Sequence, residues 1–444
     1  QTADQRPRFT PPDSRARARW RGAVVPRRAM PKTVLGSLES PMWLVKVTDF
    51  LGFKEMLHHE DLMVKGLLFR HQEGSFCIFV SHQWLGTEHP DPNGEQLPVL
   101  QQALGQLLAG CVHIRPDLQA QFYRLPARYA EKQRRQIRDG YIWLDWFSIP
   151  QADDFQKLEL RRDSSGSSQL ELSRSTSSLS QGEAYIQRIP DYVSMSDMFV
   201  VLIPPFRHAD TGAVCSFNSW CRRGWCRLEL WCKIMSEGEM PPVLISSADQ
   251  VEYSTRFWWP DHLPHEGDFS YDSDRWRVNQ VMKQLVRRKL RCCQAAKEWD
   301  LFRYYLARYD TIVGRQRGPG RSMETFLREF KFPSLGTARQ QCMCPLACAV
   351  LAGEAELIPS LCKVLDVNRL SAALPAVNLH EDMPLLMLAA CLGWRNVEVA
   401  RRLLEQKADA NATCTLMRSK RFAQGPPVLS MCKTEEMVDL LVQY

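Results

Sequence analysis

No apolar run in these 444 residues approaches the ~20 residues needed to span a bilayer. The longest candidates, Met198 to Pro205 and Leu385 to Leu392, fall far short, so no membrane partner is expected. No secretory signal peptide is recognisable. No G-x4-G-K-[ST] motif occurs, which excludes a P-loop nucleotidase. C-x2-C pairs are also missing. Cys292-Cys293, Cys342-x-Cys344 and the series Cys215, Cys221, Cys226, Cys232 all have the wrong spacing for zinc, so no metal is expected. The fifteen cysteines instead fall in apolar patterns, as Cys77, Cys348 and Cys391 do, and read as reduced thiols of a cytoplasmic protein. Basic residues are not gathered on a folded face. The net charge of +7 owes most to eight arginines between Arg6 and Arg28, and the run Arg287 to Arg291 reads as a solvated helix face, so no nucleic acid is expected.

With 45% hydrophobic side chains the chain can bury a substantial core, and its length suggests two or three domains. Residues 1–38 read as a disordered basic arm; their arginine-rich, acid-poor composition is also that of a transit peptide, and Met30 is an alternative start. Residues 39–72 carry helical spacing (Trp43, Val47, Phe50, Leu51) and read as a helical lead-in. Four short apolar runs follow: Phe76 to Val80, Tyr141 to Trp146, Met198 to Ile203 and Pro242 to Ile245. Helical patterns separate them, with Leu97, Leu100, Ala103, Leu104, Leu107 in one and Trp225, Leu228, Cys232, Met235 in another. Continuous apolar strands alternating with helices predict a parallel sheet covered on both faces. Residues 157–183 are serine-rich and read as a solvated insertion. Residues 250–335 are less legible and complete the domain or bridge it to the tail. In the tail, Pro384 to Trp394, Val397 to Leu404 and Ala408 to Ala412 closely resemble one ankyrin repeat, with Gly393 as the inter-helical turn and weaker copies from Pro345 and Pro427.

Two further motifs carry a resemblance. Trp225-Cys226-Arg227-Leu228-Glu229-Leu230 resembles the tryptophan-cysteine-x-x-glutamate-leucine helix of Toll/interleukin-receptor (TIR) domains. Trp143-Leu144-Asp145 leading to Gln151-Ala152-Asp153-Asp154 resembles the central motif of heterokaryon-incompatibility (HET) domains, which share that fold. The resemblance covers roughly residues 75–246. It implies an α/β domain, a flavodoxin-like parallel sheet of TIR type, over residues 73–335, followed by a small all-α ankyrin-repeat domain over residues 342–444. Many TIR domains cleave the nicotinamide–ribose bond of NAD, and the position of their essential glutamate is held here by Glu229. NAD is therefore the implied substrate. A carboxylate suits that reaction, because positive charge develops on the ribose as nicotinamide leaves. Open α/β sheets form pockets at the carboxyl ends of their strands, where Ser81, His82, Trp84 and Asp145 should lie, with Trp225 as a wall one turn before Glu229. The resemblance also implies self-association through the α/β domain and a protein partner for the ankyrin repeats.

Each of these residues has a structural reading as well. Glu229 can pair with Lys233 at i,i+4, worth only ~0.2–0.5 kcal/mol. Trp225 can belong to the core, His82 can be a bonded strand-end histidine, Asp145 a cap and Ser81 a turn residue. The segment Glu88-His89-Pro90-Asp91-Pro92 belongs to neither family pattern and either binds substrate or shapes a loop. Two functions stay open at this point: an NAD nucleosidase of a signalling or stress response, and a non-catalytic TIR-like/ankyrin scaffold. A cysteine hydrolase is a third, but Cys77 lies within a predicted strand and Cys226 has no evident base.

Overall fold

The apolar runs build a mixed sheet. The computed structural model describes residues 40–444 except 118–120, 122–130, 151–180, 237–239, 255–261, 317, 319, 336–342, 369–373, 375–376, 378–382, 393–395 and 415–425. The basic arm, most of the serine-rich insertion, the glutamine-aspartate segment Gln151 to Asp154 and Gly393 lie outside these residues. From Glu39 to Tyr444 the chain forms one compact unit. Its strands are β1 (Trp43–Lys46), β2 (Phe69–Arg70), β3 (Cys77–His82), β4 (Arg115–Pro116), β5 (Tyr141–Leu144), β6 (Met198–Leu202), β7 (Phe206–Arg207), β8 (Val214–Cys215), β9 (Val243–Ile245) and β10 (Val251–Tyr253). Eight of them form one sheet in the order β2-β1-β5-β3-β6-β9-β10-β4, while β7 and β8 form a separate hairpin. The centre, β5-β3-β6-β9, is parallel throughout. The chain enters it at β3, adds β5 on one side, then returns to add β6 and β9 on the other. The order therefore reverses between β3 and β6, where two crossovers leave the sheet on opposite faces.

Strand periodicity sorts the side chains between those faces. Cys77 and Phe79 of β3, Trp143 of β5, and Phe199 and Val201 of β6 belong to one core, with Tyr192, Val193, Leu228 and Trp231 of the helices Ile189–Met195 and Gly224–Met235. Ile78, Val80, Ile142, Leu144, Val200 and Leu202 point the other way, onto Leu97, Leu100 and Leu104 of the helix Gln96–Ala109. The first face is centred on Phe79, whose ring stacks on Trp143 at 4.2 Å and on Phe199 at 5.4 Å. Each such fully buried aromatic contributes about 1.5–3 kcal/mol by leaving water.

The helical lead-in is not a separate element. Residues 43–46 and 69–70 are strands, β1 pairing antiparallel with β2 and with β5 and so extending the sheet. The helical apolar spacing arises because β1 runs directly into the helical turn Val47–Phe50, so that a strand and a turn share one pattern. The run from Trp276 to Tyr309 is likewise two helices, Ser273–Ala295 and Trp299–Ala307, broken where Lys297 takes a positive φ of 59°. The first packs on the Gly224–Met235 helix and the second on the helix Pro345–Ala352, so this region bridges sheet and tail.

The tail contains three helical pairs at the places where the repeat pattern recurs. They are Pro345–Ala352 with Ile358–Cys362, Leu385–Cys391 with Val397–Glu405, and the 3-10 turn Val428–Met431 with Glu435–Val442. First members stack on first members and second on second. Buried Asn396 donates from Nδ2 to the carbonyl of Val350 at 2.8 Å, tying the middle pair to the first. Among the described residues no helix is long and apolar enough to cross a membrane.

Candidate active site at the strand ends

Alternation along β3 sends its last two residues to opposite faces, Ser81 following Phe79 and His82 following Val80. Ser81 therefore meets the Gly224–Met235 helix. Its hydroxyl donates to Glu229 Oε2 at 2.5 Å and accepts from the indole N–H of Trp220 at 3.1 Å. His82 meets the other helix, and its Nδ1 lies 2.9 Å from Gln96 Oε1. Its Nε2 lies 2.9 Å from Asp145 Oδ1, just past β5. Trp84 donates from its indole to Asp145 Oδ2 at 2.9 Å, and the backbone N–H of Trp146 donates to Oδ1 at 2.7 Å. Four expected residues, Ser81, His82, Asp145 and Glu229, are thus brought to one end of β3 and β5, beside the reversal of strand order, and Trp84 is bonded to one of them.

The hydrogen bonds assign the proton state of His82. Gln96 Nε2 donates to the Gln83 carbonyl at 2.7 Å, so Oε1 must face Nδ1, which carries a hydrogen. Nε2 faces a carboxylate and is best served by a second N–H. Burial opposes charge on His82, yet the Asp145 carboxylate outweighs it and holds the imidazole pKa above its ordinary value. Burial likewise opposes the charge on Asp145, but His82 beside it keeps the carboxyl below its usual range. Both shifts favour the imidazolium–carboxylate form of the pair.

Glu229 is tuned the other way. Burial against the sheet pushes its pKa up to about 8, assisted by Asp145 and opposed by the Ser81 hydroxyl and by His82. Its bonded partner is Ser81 rather than Lys233. The strand ends therefore hold two carboxyl groups with separated proton affinities, Asp145 held below the usual carboxylate range and the half-buried Glu229 pushed up to about 8. Such separation is typical of acid–base sites and also occurs in structural networks.

Trp225 is not joined to this cluster; its indole donates to Asp274 Oδ2 at 3.0 Å, at the start of the Ser273–Ala295 helix. Trp220 is the tryptophan that reaches Ser81, and sequence reading missed it, as it missed Gln96. The Glu88–Pro92 segment shapes a loop: buried Asp91 accepts the backbone N–H groups of Glu95, Gln96 and Leu97 at 2.7, 3.0 and 2.9 Å and caps the Gln96–Ala109 helix. An aspartate just ahead of an apolar helical run was the available signal. Cys226 donates to the His82 carbonyl at 3.6 Å, and burial pushes its thiol well up, which gives a cysteine nucleophile no support. A cavity of about 400 Å³ lies elsewhere, in the tail, lined by Val367, Asn368, Pro384, Leu385, Asp409 and Thr413 among others. No protein-family model, curated protein or solved structure matches the chain.

Proposed function

We propose that this chain is an intracellular signalling or stress-response protein whose flavodoxin-like, TIR-like α/β unit cleaves the nicotinamide–ribose bond of NAD, with Glu229 as the essential carboxylate. The observation that carries this reading is the hydrogen bond from Ser81 to Glu229 at the carboxyl end of β3, beside the strand reversal where open α/β sheets bind ligands. In the reaction the C1′–N bond breaks, its electron pair leaves with nicotinamide, and the ribose acquires positive charge that an ionised Glu229 stabilises. Water then attacks C1′ and loses its proton. Because the empty site favours neutral Glu229, turnover should rise with pH as Glu229 ionises, around pH 8. The test is release of nicotinamide from NAD by the purified protein. Glu229→Gln keeps the size and removes the charge, and should lower turnover about 10²–10³-fold, the loss seen when one electrostatic contact to a transition state is removed. Unchanged turnover in a folded Glu229→Gln protein would remove the assignment.

A second reading is a TIR-like scaffold with no reaction of its own, which self-associates through the α/β unit. It is favoured by the position of the described cavity, among Val367, Pro384, Leu385 and Asp409 in the ankyrin-like tail, where a protein partner would dock. No NAD turnover in concentrated wild-type protein would select it.

A further inference from the structure

Two helices present outward faces of opposite charge. No acidic residue occurs between Arg275 and Ala295, nearly the whole of the helix Ser273–Ala295. Val278, Val281, Leu285 and Val286 turn to the core. Trp276, Gln280, Lys283, Arg287 and Arg291 recur at the spacing of a single stripe on the other side. Trp276 is 61% exposed, Arg287 and Arg291 are exposed and Lys283 is half-buried. Arg277 is paired with Asp274 and Arg288 with Asp191, but among the described residues Lys283, Arg287 and Arg291 have no ion-pair partner. The helix Glu435–Val442 repeats the pattern with the sign reversed. Met437, Leu440 and Leu441 are buried, while Glu435, Asp439 and Val442 form the outward stripe with Glu436 beside them. No basic residue occurs between Glu435 and Tyr444, and among the described residues the three acids have no ion-pair partner. Val442 and Tyr444 are 71% and 58% exposed.

We infer that these stripes dock on one another between copies of this chain, the acidic helix Glu435–Val442 of one copy lying antiparallel on the basic helix Ser273–Ala295 of a second. The inference is independent of the NAD reading. Both stripes are exposed within one chain, so their contact needs a second copy. The order of residue types fixes the direction. Four residues advance a helix by about 6 Å, so Lys283 and Arg287 are spaced as Asp439 and Glu435 are. Antiparallel placement sets Glu435 against Arg287 and Asp439 against Lys283, and carries Val442 and Tyr444 towards Gln280 and Trp276. Parallel placement would use Arg287 and Arg291 instead and leave Trp276 and Val442 at opposite ends, both in water. A lipid surface fits less well, because the basic stripe has one aromatic and no aliphatic side chain to insert. Two helix faces this short fall below the roughly 1,200 Å² of stable complexes, so the contact is weak and depends on concentration. Each copy has one stripe of each sign, so the contact closes as a reciprocal pair or runs on through further copies.

The test is sedimentation velocity of the full chain over a range of concentrations at low and high salt. The mean mass should rise with concentration at low salt and return to that of the single chain near 1 M, where charges are screened beyond about 3 Å. Lys283→Glu with Arg287→Glu makes both stripes acidic, and Glu435→Lys with Asp439→Lys makes both basic. Each double variant alone should associate at least about tenfold more weakly than wild type. Mixing the two should restore association, because each then meets stripes of the opposite sign, and misfolded variants could not do so. A wild type that stays a single chain at every concentration, association that survives in either double variant, or a mixture that does not associate overturns the inference. So does a single-chain wild type that binds a single-stranded oligonucleotide through Lys283 and Arg287, which would give the basic face to nucleic acid.

Discussion

Replacing Asp145 with Asn should destabilise the protein in a pH-dependent way whose size follows from the hydrogen bonds. In the wild type the carboxylate receives three donors: His82 Nε2, the Trp84 indole and the Trp146 backbone N–H. A carboxamide has one acceptor oxygen and adds an N–H2. When His82 is neutral, that N–H2 can take the place of Oδ1 and donate to Nε2 while the oxygen keeps Trp84; the Trp146 N–H then loses its acceptor, and the loss is about 1 kcal/mol, one ordinary hydrogen bond. When His82 is charged, three donors compete for one oxygen beside a buried cation. The loss should then be about 2–3 kcal/mol, the range for hydrogen bonds to charged groups. The sign follows from the direction of each shift. The His82 pKa is raised, so its contribution is complete below the ordinary value of 6.5 and is lost as pH rises through the folded value. The Asp145 pKa is lowered, so its contribution is present above the ordinary 3.8 and is lost as pH falls through the folded value. The pair therefore acts most strongly between those two ordinary values. Urea unfolding at about pH 5.5 and pH 9 should show the larger deficit for Asp145→Asn at the lower pH. Equal deficits of about 1 kcal/mol at both would mean that His82 is neutral throughout, and the charge assigned to it beside Asp145 would fall, while the hydrogen on Nδ1 facing Gln96 would stand.

Glu229→Gln should be more stable than wild type above about pH 8 and equal to it near pH 5: the raised pKa means that wild type must either ionise a buried acid or retain its proton as pH rises, and glutamine does neither. A urea midpoint for the variant below that of wild type at pH 9 would contradict this. Asp91→Ala removes the acceptor of three backbone N–H groups and should cost about 2 kcal/mol, the upper end for a helix cap, read as a lower denaturation midpoint with unchanged slope. Asn396→Ala leaves the Val350 carbonyl without its side-chain partner and should cost about 1–2 kcal/mol. It should also speed release of C-terminal fragments in limited proteolysis, and a digestion rate equal to wild type would mean that this bond does not join the pairs.

The parallel centre of the sheet was legible because its strands are covered on both faces and read as unbroken apolar runs, as Cys77 to Val80 and Met198 to Leu202 do. The edges were not. β4 is Arg115–Pro116, two polar or ring-locked residues paired with β10 at the edge of the sheet, and proline is tolerated there because an edge strand need not donate on its outer side. β1 was hidden by the helical turn that continues it. At the site, Ser81, His82 and Asp145 were found because strand ends can be read from a single chain. Gln96 and Trp220 were not, because which helix faces which strand residue depends on crossovers that local patterns do not encode. Trp225 shows the same limit: its spacing from Glu229 was read correctly, but its hydrogen bond to Asp274 comes from a helix some fifty residues later.

The tail depends on the sheet for its first boundary. A stacked pair buries its apolar faces only against neighbours, so an array of three needs something at its near end. That role is filled by the helix Trp299–Ala307, which packs on Pro345–Ala352 and belongs to the core that also contains Phe79 and Trp143. Polar groups fix the junction. Buried Arg303 donates to the carbonyls of Phe330 and Lys331 at 2.9 Å each and lies over the ring of Phe332 at 4.0 Å. Arg321 is paired with buried Glu354, which sits just after the helix Pro345–Ala352. Asp300 accepts the backbone N–H of Met343 at 3.0 Å. The far pair has no such cover among the described residues, and Leu429, Val442 and Tyr444 are exposed there. Among the described residues the array is therefore anchored at one end by the core and exposes apolar side chains at the other. Opening should begin at Glu435–Val442 and proceed towards the sheet, so backbone hydrogen exchange in Glu435–Val442 should be fastest of the three pairs and in Pro345–Ala352 slowest. Uniform exchange across the three would mean that the tail unfolds as one piece with the α/β core rather than from the pair farthest from it.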